Sequence, residues 1–98
     1  MNNELKKNLT LLTTQKSILI REYHVSRVGI FGSVVRGNFT QKSDIDILVE
    51  FSKPIGMFRF LDLENYLSGI LRKRVDLVTR RALKPSTKKT ILNDVIYA

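Results

Sequence analysis

Three aspartates lie in segments that otherwise have the composition of buried β-strands. Asp44 and Asp46 belong to the apolar run that ends at Phe51, and Asp76 is the only acid in residues 74–79. Because side chains alternate between the two faces of a strand, Asp44 and Asp46 are expected on one face, with Cα atoms roughly 6.6 Å apart. Two carboxylates so placed repel each other unless a cation lies between them. The pattern therefore predicts a divalent cation site with Asp76 as the third ligand.

A second group of residues is suited to phosphate. Ten residues separate Ser33 from Asp44, and Gly32 precedes Ser33 at the end of another apolar run. Glycine lets a ligand approach the backbone closely, and Ser33 is expected to cap a short helical turn whose N–H groups attract phosphate. The guanidinium of Arg36 matches phosphate oxygens. These residues predict a triphosphate-binding loop facing the cation site.

The elements that position these residues follow from hydrophobic periodicity. Residues 3–23 and 57–71 predict helices, and residues 86–97 predict a last helix capped by Ser86. The strand at 25–31 is the first of three. A strand, a helix and a further strand in succession predict a right-handed crossover with the second and third strands parallel, which brings Asp76 alongside the other two aspartates.

The helix predicted at 57–71 separates into an apolar stripe and a polar side. Asp62 and Glu64 fall on or beside the polar side and are expected to be solvated charges. The stripe is expected in the core and comprises Met57, Phe60, Leu63, Leu67 and Ile70.

Composition bounds the class of protein. The 98 residues predict a single domain, 1–98, and the 43% hydrophobic content is ordinary for a globular protein. The absence of cysteine excludes disulfides and thiolate metal sites. The amino end does not resemble a signal peptide, and no apolar run approaches membrane-spanning length, so we expect a cytoplasmic protein with no membrane partner.

Positive charge is concentrated near the carboxyl end. The net charge is +8, and residues 72–98 hold eight Lys or Arg against Asp76 and Asp94. This segment is expected to meet something acidic, either a protein partner, ATP or nucleic acid, unless it is a plain solvated face. Direct nucleic-acid binding is possible but not favoured, because no helix-turn-helix pattern or run of stacking aromatics accompanies the charges.

The motifs together resemble a known family. Gly32-Ser33, Asp44-Ile45-Asp46 and Val75-Asp76-Leu77-Val78 are similar to the signature of the minimal nucleotidyltransferase (MNT) family of the DNA polymerase beta superfamily. Members of this kind resemble the antitoxin halves of HEPN/MNT toxin–antitoxin pairs. The resemblance implies an α/β nucleotidyltransferase fold, in which about three helices cover a small mixed sheet of three or slightly more strands.

The resemblance also implies an activity and roles for residues. It implies an Mg²⁺-dependent enzyme that adenylylates a tyrosine of a cognate HEPN ribonuclease toxin, with ATP as substrate and two Mg²⁺ ions as cofactors. The three aspartates would be catalytic and would bind the metal. The residues that would bind the nucleotide are Gly32, Ser33, Arg36 and Ser43.

Two other functions remain open from the sequence. One is a non-catalytic antitoxin that binds its partner and blocks it sterically. The other is a transferase that acts on a small molecule or on an RNA end. Larger transferases of the superfamily carry extra domains that hold such acceptors, and 98 residues leave no room for one, which favours a protein acceptor.

Overall fold

The computed structural model describes residues 2–98, which form a mixed α/β fold. The four strands of its one sheet are β1 (Val25–Phe31), β2 (Ile45–Phe51), β3 (Val75–Thr79) and β4 (Ile96–Tyr97). The five α-helices are α1 (Asn3–Thr14), α2 (Lys16–Tyr23), α3 (Ser33–Arg36), α4 (Gly56–Leu71) and α5 (Pro85–Asp94). A 3₁₀ turn, Arg80–Ala82, follows β3. In this part of the chain no helix is long and apolar enough to cross a membrane.

The sheet has the strand order β3-β2-β1-β4. The hairpin partners β1 and β2 are antiparallel, β2 and β3 are parallel, and β4 pairs antiparallel with β1. The predicted small mixed sheet is confirmed, and so is the parallel pairing of the second and third strands. Because β1 and β2 run in opposite directions, the end of β1 lies beside the start of β2, where the site residues are found.

The hydrophobic core lies between one face of the sheet and helices α1, α2 and α4. Leu12, from α1, and Leu67, from α4, are fully buried in the same core cluster as Ile45 and Ile47 of β2. Burying a leucine side chain contributes about 1.5–3 kcal/mol, so these contacts fix the sheet against the helices. The core therefore holds β2 rigidly, with its odd-numbered side chains inward and Asp46 on the other face.

The single helix predicted at 3–23 is wrong in one respect, because the structure divides it into α1 and α2 at Gln15. The hydroxyls of Thr13 and Thr14 donate to the carbonyls of Leu9 and Leu11 at 2.8 and 2.7 Å, and such bonds compete with a regular helix. The side chain of Gln15 also accepts a hydrogen bond from the Tyr66 hydroxyl.

The last predicted helix is too long, and its cap is misplaced. Helix α5 begins at Pro85, with Lys84 at the N-cap position, and it ends at Asp94. Proline suits the first helical position because it has no N–H to leave unsatisfied. Residues 96–97 leave the helix because β1 offers their backbone a strand partner, with Ile96 opposite Ile30.

This last strand depends on a glycine in β1. A Cβ atom at Gly29 would lie 2.8 Å from Val95 Cγ2 and 2.9 Å from the carbonyl oxygen of Ile96. Any side chain at Gly29 would therefore displace the carboxyl-terminal segment. The hydrophobic periodicity of residues 86–97 gives no indication of this long-range contact.

The helix predicted at 57–71 is confirmed as α4, with one exception in its apolar stripe. Leu63 and Leu67 are buried, and Phe60 and Ile70 pack against the core. Met57 was expected in the core, but it is 70% exposed and is not among the side chains that pack against the core.

Candidate active site

Strands β2 and β3 bring the carboxylates together. Asp46 is the register partner of Asp76, so the two residues sit side by side on neighbouring parallel strands. Strands in a sheet lie about 4.8 Å apart. Asp44 immediately precedes β2 and is partly exposed, as is Asp46, whereas Asp76 is exposed. The crossover therefore produces the cluster that the sequence predicts.

Gly32 closes one side of this cluster. Its φ is +79° and its ψ is −147°, a conformation that essentially only glycine adopts. A Cβ atom at Gly32 would overlap Asp46 Oδ2 and would lie 3.1 Å from Asp46 Cγ. The backbone at Gly32 can approach the Asp46 carboxylate only because no side chain intervenes.

Helix α3 is a single turn that follows this glycine. Ser33 was expected to be its N-cap, but Gly32 occupies that position and Ser33 is the first helical residue, without a side-chain capping bond. The amide of Arg36 donates to the Gly32 carbonyl at 3.0 Å, and Gly37 ends the turn at φ +84°. The turn therefore depends on its two flanking glycines.

Arg36 links the site to the carboxyl-terminal helix. Its Nη1 lies 3.5 Å from Asp94 Oδ2, in an ion pair whose side chains are 52% and 30% exposed. The same guanidinium lowers the pKa of Asp46, so its positive charge reaches the carboxylate cluster. Asp94 is a contributor that the sequence did not reveal, because only the fold brings it to Arg36.

The surroundings of Asp46 disfavour the ionised form of its carboxyl group. Burial raises the pKa of Asp46 above its ordinary value of 3.8, and the charges of Asp76 and then Asp44 raise that pKa further. Arg36 opposes these effects. Desolvation and like charges both disfavour the ionised form, and a bound cation would relieve both.

The donor set suits Mg²⁺. This ion prefers oxygen ligands, retains several waters and is usually held by one or two carboxylates together with substrate phosphates. Within residues 2–98 no group of three or more acidic, histidine or cysteine side chains already stands in position around one metal ion. Asp44 and Asp46 fit as the carboxylate ligands, with water and phosphate supplying the rest, and Asp76 is the candidate for a second ion.

Ser43 has a structural role in addition to the nucleotide contact predicted for it. Its hydroxyl accepts a hydrogen bond from the amide of Thr40 at 3.0 Å and lies 3.2 Å from the Thr40 hydroxyl. Lys73 donates to the carbonyl of Gln41 at 3.1 Å in the same turn. These bonds close the turn that delivers Asp44 to the start of β2.

Glu64 is not the solvated charge that the sequence suggested. Its Oε2 accepts a hydrogen bond from the amide of Leu77 at 3.0 Å, and the hydroxyl of Ser68 accepts one from Val75 at 3.1 Å. These α4 side chains hold the outer edge of β3 on both sides of Asp76. Glu64 and Ser68 lie four residues apart on the helix that precedes an edge strand, and this spacing could have identified them in the sequence. Asp62, by contrast, is exposed as expected.

Comparisons with known proteins agree with this geometry. A family model described as a nucleotidyltransferase domain matches residues 12–98. The protein adenylyltransferase MntA of Thermococcus cleftensis is 42% identical over 88 residues, which are 90% of this chain and 89% of that protein. The residues matched by the family model include Gly32, the three aspartates and the carboxyl-terminal strand.

Solved structures give the same result. One of a minimal nucleotidyltransferase is 33% identical, with a TM-score of 0.73, and covers 91% of this chain and 93% of that one. A chain in a mutant of the toxin–antitoxin complex MntA–HpeT is 25% identical, with a TM-score of 0.67, and covers 88% of this chain and 70% of that one. The resemblance found in the motifs is confirmed, and the chain belongs to the nucleotidyltransferase-domain family, among the minimal nucleotidyltransferases.

Proposed function

We propose that this chain is an antitoxin that transfers AMP from ATP to a tyrosine of a HEPN-family toxin. The observation that carries the proposal is the pairing of Asp46 with Asp76 beside Asp44, against a glycine whose lack of a side chain leaves room for the Asp46 carboxylate. The names of the relatives support the reaction and the partner: MntA is a protein adenylyltransferase, and a structural relative forms part of a toxin–antitoxin complex.

In the proposed reaction the tyrosine oxygen forms a bond with the α-phosphorus of ATP, and the bond from that phosphorus to the bridging oxygen of the β-phosphate breaks. Pyrophosphate leaves with the electron pair of the broken bond. Bound Mg²⁺ supplies charge neutralisation on the phosphates and makes the attacking hydroxyl more acidic. Asp76, which is exposed, is the group available to accept the tyrosine proton.

The other residues bind and orient. Asp44 and Asp46 would hold the metal ions, and the Gly32-Ser33 backbone with the Arg36 guanidinium would hold the β- and γ-phosphates. The Arg36 side chain is half exposed, and among residues 2–98 it pairs only with Asp94 at the surface, so a phosphate can compete for it at low cost. Holding ATP and tyrosine in line is the main contribution that the protein makes to this kind of transfer.

The test is the intact mass of the protein encoded by the neighbouring gene, which we expect to be the toxin, measured before and after incubation with the chain, ATP and Mg²⁺. We expect an AMP-sized gain on the toxin with wild type and none with Asp46→Asn. Asp62→Asn is the matched control, because it removes an exposed carboxylate on α4 and should leave the gain unchanged. A gain that survives Asp44→Ala combined with Asp46→Ala would refute the mechanism.

A non-catalytic antitoxin is the second candidate. It is favoured by the lack, within residues 2–98, of a preformed three-ligand metal group. Toxin inhibition separates the two functions. If the Asp44→Ala, Asp46→Ala variant neutralises the toxin as well as wild type does, steric blocking is sufficient.

A further inference from the structure

A cleft of ≈ 770 Å³ lies at the end of the sheet opposite the carboxylates. It is bounded by the last residues of β2, the loop that leads into α4, and the residues that follow β3. Val49, the lining residue of β2 nearest to the site, is three residues beyond Asp46, so the cleft begins about 10 Å from the site along the strand.

One side of the cleft continues into an exposed apolar ridge. Met57, Phe58 and Leu61 are 70%, 85% and 44% exposed, and their spacing places them on neighbouring turns of α4. Met57 also lines the cleft, together with Phe51 and Phe60, whose rings meet edge to face with centroids 6.4 Å apart. Large apolar side chains grouped on a surface mark a site of interaction with another protein.

The rest of the rim is positively charged. Lys53, Arg81 and Lys88 line the cleft, and none of them forms an ion pair with any residue in the range 2–98. Arg80 lies 3.9 Å from Glu50, the one acid in the lining. Three unpaired cations beside an apolar ridge are complementary to a segment that is apolar on one side and acidic on the other.

We propose that this surface, formed by the cleft and the α4 ridge, docks an acidic amphipathic helix of the partner protein. The inference rests on the proposed function, since the partner is the protein that receives AMP. The cleft and the ridge together form an apolar groove of the kind that accepts the apolar face of a helix, and the cations select the acidic face. Docking at this end of the sheet leaves another part of the partner free to bring its tyrosine to Asp76.

The experiment measures the affinity of the HEPN-family toxin encoded beside this chain's gene, without ATP. We expect Phe58→Asp to weaken binding at least tenfold, because an aromatic anchor is lost and a charge is buried. Arg81→Glu is expected to weaken binding about threefold to tenfold and to reduce its salt dependence. The matched controls are Ile20→Asp, at an apolar side chain 54% exposed on α2, and Lys7→Glu, at an exposed lysine on α1.

The outcomes are distinct. Wild-type affinity in both cleft variants, or no binding of the toxin by wild type, would overturn the proposal. A single-stranded RNA oligonucleotide that displaces the toxin and depends on Arg81 but not on Phe58 would also overturn it, in favour of a nucleic-acid surface. Both substitutions are at exposed positions, and matching thermal unfolding curves will show that the variants fold.

The mass assay separates this proposal from the proposed function. If Phe58→Asp binds normally while wild type adds AMP to the toxin, docking is wrong and adenylyl transfer stands. If Phe58→Asp loses binding while wild type adds no AMP, docking stands and adenylyl transfer is wrong. Asp46→Asn should bind the toxin as wild type does, since it lies at the other end of β2.

Discussion

Replacing Gly32 by alanine tests whether glycine is required at this position because a side chain would collide with the Asp46 carboxylate. Two costs follow from the structure. The backbone at φ +79° and ψ −147° is strained by about 1–3 kcal/mol for any residue other than glycine. In addition, the new methyl group would overlap Asp46 Oδ2, so the carboxylate has to turn away.

Gly37→Ala is the matched control. Gly37 also has a positive φ, +84°, but nothing lies within 4 Å of a Cβ atom built there. Its substitution should cost about 1–2 kcal/mol from the backbone alone. At about 4–8 °C per kcal/mol for a domain of this size, both variants should unfold at lower temperature, and Gly32→Ala at the lower of the two.

The contact itself is measured by combining Gly32→Ala with Asp46→Ala. Removing the carboxylate removes the overlapping atom, so Gly32→Ala should cost less stability in the Asp46→Ala background than in wild type. Chemical denaturation gives the coupling, and AMP transfer should be lost in Gly32→Ala but retained in Gly37→Ala. Equal stability losses for the two glycine variants, with transfer intact in both, would refute the assigned role of Gly32.

Four further substitutions test other contacts. Glu64→Ala should lower the free energy of unfolding by about 1–3 kcal/mol, measured by urea denaturation, because the amide of Leu77 loses its acceptor. Folding raises the pKa of Asp46, so ionisation of this carboxyl group costs stability as the pH rises above 3.8. Without metal, the Asp46→Asn variant should therefore be more stable than wild type at pH 7 and should lose that advantage in acid. Equal stability of the two proteins at pH 7 would contradict this. Arg36→Ala should raise the KM for ATP, whereas Asp94→Asn should not, and both should change stability by no more than about 1 kcal/mol because their ion pair is exposed.

The sequence predicts the part of the site that depends on local periodicity and on a short crossover. Alternation along β2 and a helix between two strands are sufficient to bring Asp76 beside Asp46, as the register confirms. Contacts between distant segments leave no such pattern. The Arg36–Asp94 pair spans 58 residues, and the strand formed by residues 96–97 depends on the absence of a side chain at Gly29. Each of these requires the fold before it can be recognised.

The two edges of the sheet limit how a partner can reach Asp76. The outward amides of Val75 and Leu77 on β3 already donate to side chains of α4, so β3 offers them to no additional strand. The opposite edge, β4, has only two residues. A partner therefore gains little from adding a strand to the sheet and has to bind through its side chains. The carboxylate of Asp76 is exposed, so a side chain of the partner can reach it. Transfer to a tyrosine hydroxyl is compatible with this restriction, because the acceptor is the outermost atom of a long side chain.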